Sequence, residues 1–248
     1  MKLLVSYANN EYFYRAQHKL VESAKKYFDA HASFTPDLLD DEFKVKNNHI
    51  LSQKRGAGYW LWKPYIIYTC LKKVKDGDYV FYVDSGNTVI NDPEPLFKLV
   101  DKEESGIFLF ENRDGSQSDK EMQGKVWLNY LYTKYDCFKL MGCLDEKYVK
   151  GEQVDGCYIL VKKNPFVLKF FEEYIAYCEN ENILTDKPNE HGENFEGFRD
   201  HRHDQSVLSL LAIKYNLTKG REPSEWGNYV SSEKYTYPQI FWHHRGLG

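Results

Sequence analysis

The chain has 248 residues, 42% of them hydrophobic and 16% aromatic, with a formal net charge of −4. That length suffices for one large domain with a sizeable core. The mildly acidic balance gives no basic footprint for nucleic acid, and no apolar run approaches the ~18 residues that cross a bilayer.

Met1 to Ser6 holds too short an apolar segment for a signal peptide and reads as the start of a strand, Lys2 to Tyr7. Asn10 is placed to cap a helix in which Phe13, Ala16, Leu20, Ala24 and Tyr27 recur at helical spacing. Residues 35–54 are polar and read as irregular. The next segment, Arg55-Gly56-Ala57-Gly58-Tyr59-Trp60-Leu61-Trp62-Lys63-Pro64, has two glycines one residue apart and a proline suited to open a helix through Cys70. It delivers two cations, Arg55 and Lys63, among three large rings. Cations neutralise a diphosphate and rings stack on a base, so the segment is a candidate cradle for both.

Asp76-Gly77 signals a turn, and Tyr79 to Val83 is a strand apolar enough to be buried on both faces. It ends in Asp84-Ser85-Gly86, where the backbone can approach a ligand and a carboxylate can hold a metal. Ligands of open α/β sheets bind at the carboxyl ends of strands. A turn at 92–95 leads to a short helix around Phe97 to Val100, and Gly106 to Phe110 is a further strand. Residues 114–123 are polar and read as a loop, and 130–141 as an aromatic-rich helix. Gln153-Val154-Asp155-Gly156 precedes the strand Cys157 to Val161. Asn164-Pro165 opens a helix with Phe166, Phe170, Tyr174 and Cys178 on one face. A long polar stretch, 179–196, reaches His203-Asp204-Gln205, with Asp204 at the cap position of a last helix. The final motif is His243-His244-Arg245-Gly246. Five cysteines (70, 137, 143, 157 and 178), odd in number and without CxxC spacing, speak for a reducing, cytoplasmic compartment and against structural zinc.

Strands alternating with helices predict an α/β class with a mostly parallel central sheet flanked by helices. With no linker in view, 1–248 reads as a single domain. Polar clusters recur at strand ends: Asp84-Ser85-Gly86, His203-Asp204-Gln205 and His243-His244. A carboxylate with a histidine suits Mn²⁺ or Mg²⁺ bridging a diphosphate.

The order of these motifs resembles the GT-A-fold nucleotide-sugar glycosyltransferases, and is most similar to the retaining family-8 type and its small bacterial and viral relatives. The matching stretches are Lys63-Pro64, Asp78 to Asp84, Gln153 to Gly156, Asp204-Gln205 and His243 to Gly246, so the likeness covers about 60–245. It implies a nucleotide-binding half, about 1–110, and an acceptor-side half, about 111–248. The implied reaction moves a sugar from a nucleotide diphosphate sugar to the hydroxyl of a glycan or glycolipid, with peripheral membrane association compatible with such an acceptor. Asp84 and His243 are then the metal ligands, and Lys63, Arg55 and Arg245 meet the phosphates. Tyr7 and Asn9 lie at the base end, Tyr59 of the 55–63 loop binds the donor, and Ser85 and Gly86 lie beside the diphosphate. Asp204 and Gln205 contact the donor sugar, and Asp155 orients donor or acceptor.

One departure matters. The family's second acidic residue falls on Gly86, so the metal clamp is incomplete, with Asn87 as a further oxygen donor nearby. Two other functions share features of this pattern. A sugar nucleotidyltransferase would carry a glycine-rich basic loop after the first strand, where this chain has Ala8-Asn9-Asn10. A non-catalytic carbohydrate-binding protein on a degenerate transferase fold would tolerate the missing acid.

Overall fold

A computed structural model describes residues 1–113, 124–229 and 237–244. The polar stretch 114–123 and the Arg245-Gly246 end of the last motif lie outside the described residues. The strands are β1 (Lys2–Tyr7), β2 (Ala30–Phe34), β3 (Tyr79–Val83), β4 (Asn87–Val89), β5 (Ile107–Phe110), β6 (Tyr158–Lys162), β7 (Lys219–Gly220) and β8 (Phe241–His243).

Six strands form one sheet in the order β2-β1-β3-β6-β5-β7, with β4 and β8 paired apart from it. β1 runs parallel to β2 and β3, and β5 parallel to β7, whereas β6 is antiparallel to both of its neighbours. The sheet is therefore mostly parallel with one reversed strand. That reversal decides where the site forms. It puts the start of β6 beside the end of β3, with Tyr158 opposite Val83 and the Asp84 N–H bonded to the Cys157 carbonyl.

The central strands are buried on both faces, as their continuous apolar runs require. Successive side chains alternate between two layers. Leu3, Val5, Val80, Tyr82, Ile159 and Val161 pack with helices 62–73, 165–178 and 204–214. Leu4, Phe81, Val83, Tyr158 and Leu160 pack with Leu20, Leu96, Phe97 and Phe241 on the other face. Phe170 and Tyr174 of the 165–178 helix are fully buried, as helical spacing predicts.

Several elements escape the sequence reading. Residues 35–54 hold a 3₁₀ turn at Pro36–Leu38 and short helices at Asp41–Lys46 and Asn48–Leu51. The stretch 130–141 splits into helices Asn129–Tyr132 and Tyr135–Leu140, and Glu181–Leu184 interrupts the long polar segment. β2, β4, β7 and β8 are short or half-exposed and carry weak apolar patterns.

Candidate active site

Four chain segments meet at the carboxyl end of β3. Asp84 follows the strand directly. Asp155 and Gly156 enter from the turn before β6, and Asp204 from the start of the Asp204–Lys214 helix. His243 arrives on β8, opposite Asn87, with the His244 N–H bonded to the Gly86 carbonyl. Asp204 is not the cap of its helix. That position belongs to His203, whose backbone is at φ 55° and ψ −122°, and Asp204 sits in the first turn.

Lys63 lies at the centre. Its ammonium is buried, 2.9 Å from Asp204 Oδ2, 3.8 Å from Asp84 Oδ1, and bonded at 2.9 Å to the Gly156 carbonyl. Burial opposes its charge, but Asp204 and Asp84 outweigh that cost and hold the ammonium above its ordinary range. Burial also pushes the Asp204 carboxyl up, to about 6, against the pull of Lys63. Both groups are therefore charged at neutral pH. Asp84 accepts from the Tyr82 hydroxyl at 2.5 Å. Gln205 donates to Gln153 Oε1 and accepts from the Gly156 N–H, which fixes its amide.

Three adjoining cavities surround this cluster. A cleft of about 440 Å³ is lined by Tyr7, Asn9, Trp60, Trp62, Asp84, Ser85, Gly86 and His243. A niche of about 180 Å³ shares Trp60 and Asp84 with it and adds Lys63, Gly156, Arg202, Asp204 and Gln205. An outer cavity of about 500 Å³ holds Asp155, Glu222, Trp127, Trp226 and Arg221, and shares Arg202, Gln205 and Cys157 with the niche and His243 with the cleft.

The glycine-bearing segment forms a left-handed turn, since Gly56, Ala57, Gly58, Tyr59 and Trp60 all have positive φ. A Cβ on Gly56 would lie 2.3 Å from the Trp60 ring, and one on Gly58 would lie 2.6 Å from the Leu51 Cα. Holding Ala57, Tyr59 and Trp60 there costs about 1–2 kcal/mol each. The turn brings Trp60 over His203, stacked at 5.5 Å.

Not every ring and cation in the segment faces the cleft. Trp62 stacks on Tyr7 at 3.7 Å, so each spends one face on the other, and both are largely buried. Tyr59 is turned inward against His203 and is absent from the cleft lining. Arg55 lines the niche, but its guanidinium bonds Asp186 at 3.0 Å and both oxygens of Asp200 at 3.1–3.2 Å.

Asp84 and His243 line the same cleft, and Trp226 Nε1 donates to His243 Nδ1 at 3.1 Å, which orients the ring. Asn87 is no ligand: it is fully buried, accepts from the Tyr158 hydroxyl and donates to the Asp84 carbonyl. Among the described residues no group of three His, Cys, Asp or Glu side chains is placed to hold a metal ion. Asp84 and His243 would fit a divalent cation only in part, since they would supply two ligands and leave the other positions to a phosphate and water.

Two acids complete the outer wall. Asp155 Oδ1 accepts from the Cys157 N–H, and burial raises its pKa. Glu222 Oε2 accepts from the Ser224 N–H, the Ser224 hydroxyl and the Gly227 N–H at 2.9–3.0 Å. Burial, with Asp155 nearby, pushes the Glu222 carboxyl up to about 8. Glu222, Arg202 and Trp226 went unrecognised in the sequence: Glu222 follows only the two-residue strand β7, which has no apolar run, and the other two stand in no spaced motif.

No family model matches the chain, and no curated protein matches it by sequence. Solved structures do match by shape. The chain is similar to mouse xyloside xylosyltransferase 1, at 9% identity and a TM-score of 0.50, over 98% of this chain and 97% of that one. It is also similar to the bifunctional glycosyltransferase WbbM, at 11% identity and a TM-score of 0.50, over 99% of this chain and 46% of that one. At such identities the likeness shows the fold, which is GT-A-like.

Proposed function

We propose that the protein is a glycosyltransferase that moves a sugar from a nucleotide diphosphate sugar to an acceptor hydroxyl. One observation carries this reading: Asp84, Asp155, Asp204 and His243, far apart in sequence, meet on three adjoining cavities at the strand ends of a GT-A-like sheet. The cleft beside β1 takes the nucleotide, with Tyr7 and Asn9 at the base end and Ser85 and Gly86 along the diphosphate. The niche, which shares Asp84 with the cleft, takes the sugar-side phosphate and the donor sugar against Asp204 and Gln205, and the outer cavity, walled by Asp155, takes the acceptor. The halves 1–110 and 111–248 then act as donor and acceptor sides of one domain.

In the reaction the bond between the anomeric carbon and the diphosphate oxygen breaks, and the electron pair leaves with the diphosphate. The acceptor oxygen forms the new bond and its proton is released. Groups aimed at the leaving charge lower this barrier most. Asp84 and His243 would hold Mn²⁺ or Mg²⁺ jointly with the diphosphate, and the cation would neutralise that leaving charge. The family-8 likeness favours a hexosyl donor and retention of configuration, with a glycan or glycolipid acceptor in surface polysaccharide synthesis. All five cysteines are thiols, in accord with a reducing cytoplasm, and no described helix is long and apolar enough to cross a membrane.

Incubation with a panel of UDP- and GDP-sugars tests the reading. Release of nucleoside diphosphate is expected, whereas release of pyrophosphate, or no turnover and no nucleotide binding, would sink it. A cation held by Asp84, His243 and the diphosphate together would enter with the nucleotide, so Mn²⁺ should bind far more tightly with UDP or GDP present, and each ligand should strengthen the other equally. His243→Ala should abolish that mutual gain. His244 is buried, so His244→Ala should lower stability and leave the cation dependence intact.

A further inference from the structure

A donor phosphate entering the niche meets carboxylates. The niche holds Asp84 and Asp204 with Lys63 between them, and Asp155 stands just beyond in the outer cavity. One buried ammonium does not offset this acidity, and a diphosphate adds more negative charge. Lys63 is also spent inward, since its contacts are Asp204, Asp84 and the Gly156 carbonyl. Arg55 is spent likewise on Asp186 and Asp200.

Arg202 differs from both. It lines the niche and the outer cavity together, and its side chain is 38% exposed. Its guanidinium lies 4.5 Å from the centre of the Trp127 ring, and Trp127 is stacked in turn on Tyr132 at 4.2 Å. This platform orients a planar cation at low entropic cost. Among the described residues its one carboxylate contact is Asp200 Oδ2, at 3.6 Å, and Arg55 already holds both oxygens of that carboxylate.

We propose that Arg202 is a protein cation that meets the donor diphosphate from the niche, and that Lys63 serves as an internal counter-ion that positions Asp84 and Asp204. The proposal rests on the transferase reading and adds a binding residue to it. Arg202 stands two residues before Asp204, so the turn that carries the sugar-side acid also carries the phosphate-side cation. A guanidinium can grip two phosphate oxygens at once through its planar fork, whereas an ammonium acts as a point charge.

Titration of UDP, GDP, uridine and guanosine into the parent, Arg202→Gln and Arg202→Lys tests it, with melting curves to confirm folding. Arg202→Gln should weaken the diphosphates roughly 10- to 100-fold, the range for a hydrogen-bonded charge, and leave the nucleosides unchanged. Arg202→Lys should recover part of the loss. The parent's diphosphate affinity should also fall with added salt more steeply than that of Arg202→Gln. Equal weakening of nucleosides and diphosphates would make Arg202 a packing residue over Trp127 and overturn the proposal. Undiminished diphosphate affinity in a folded Arg202→Gln would overturn it too. A parent that binds neither diphosphate would remove the donor site itself, and the transferase reading with it.

Discussion

The niche and the outer cavity share a wall, yet they hold their most deeply buried carboxylates in opposite ways. In the niche, carboxylates and ammonium sit within 2.9–3.8 Å of one another and their charges are met from inside the protein. In the outer cavity, Asp155 and Glu222 are buried with backbone N–H groups and a hydroxyl for partners, and among the described residues neither has an ion pair with a cation. Charges answered internally hold geometry, because removing one leaves the others uncompensated. Charges answered only by dipoles respond to what enters the cavity and to pH. The same residue types thus do different work a few ångströms apart.

The largest expected effect breaks the internal balance. Lys63→Met should leave Asp84 and Asp204 without their cation, and losing one partner of a buried pair costs about 3–5 kcal/mol. For a chain of this size that lowers the melting temperature by roughly 6–20 °C. A lysine that only met the phosphates would give the reverse pattern, unchanged stability with weaker UDP binding. Thermal melts beside a UDP titration separate the two.

An intermediate effect is expected at Glu222. Its folded pKa, about 8, stands above its ordinary value of 4.5. Between those values the folded state binds more protons than the unfolded one, so this group's contribution is full below pH 4.5 and is lost as pH rises through 8. Glu222→Gln keeps an acceptor for Ser224 and Gly227 and carries no charge at any pH. The variant should therefore melt several degrees higher than the parent at pH 9 and show a flatter decline from pH 6 to 9. Parallel melting curves for the two proteins would mean that Glu222 is ionised and paired in the folded state.

Much of the central sheet is legible in the chain, because Tyr79–Val83 and Tyr158–Lys162 are continuous apolar runs that can only be buried strands. Asp84 and Asp204 are legible for a related reason: each follows or opens a strongly patterned element. What local pattern cannot show is direction. Lys63 and Arg55 read as a cradle because they flank rings and glycines, and only the three-dimensional neighbours, Asp204 and Asp84 for one and Asp186 and Asp200 for the other, turn them inward. Arg202 has no helical or strand periodicity around it, and Trp127 and Tyr132, which form its platform, lie some 70 residues earlier. Glu222 is buried by a loop whose shape depends on its own hydrogen bonds. Such sites are tertiary facts and leave no mark at short range.

The smallest expected effect is at Arg55, and it tests whether the two arginines are linked. Arg55, Asp186 and Asp200 have side chains about 40% exposed, so solvent screens these pairs and each contributes only about 0–1 kcal/mol. Arg55→Gln should lower stability slightly. It also releases both oxygens of Asp200, and Arg202 stands 3.6 Å away. Arg202 would then turn toward Asp200 and away from the niche, so UDP affinity should fall by a few-fold through Arg202 alone. In an Arg202→Gln background the same Arg55→Gln change should cost nothing further, which a double-mutant cycle reads as coupling between the sites. If Arg55 instead touches the phosphates itself, its loss would weaken UDP equally in both backgrounds. Additive losses would put Arg55 back among the ligand-facing cations and erase the distinction between the two arginines.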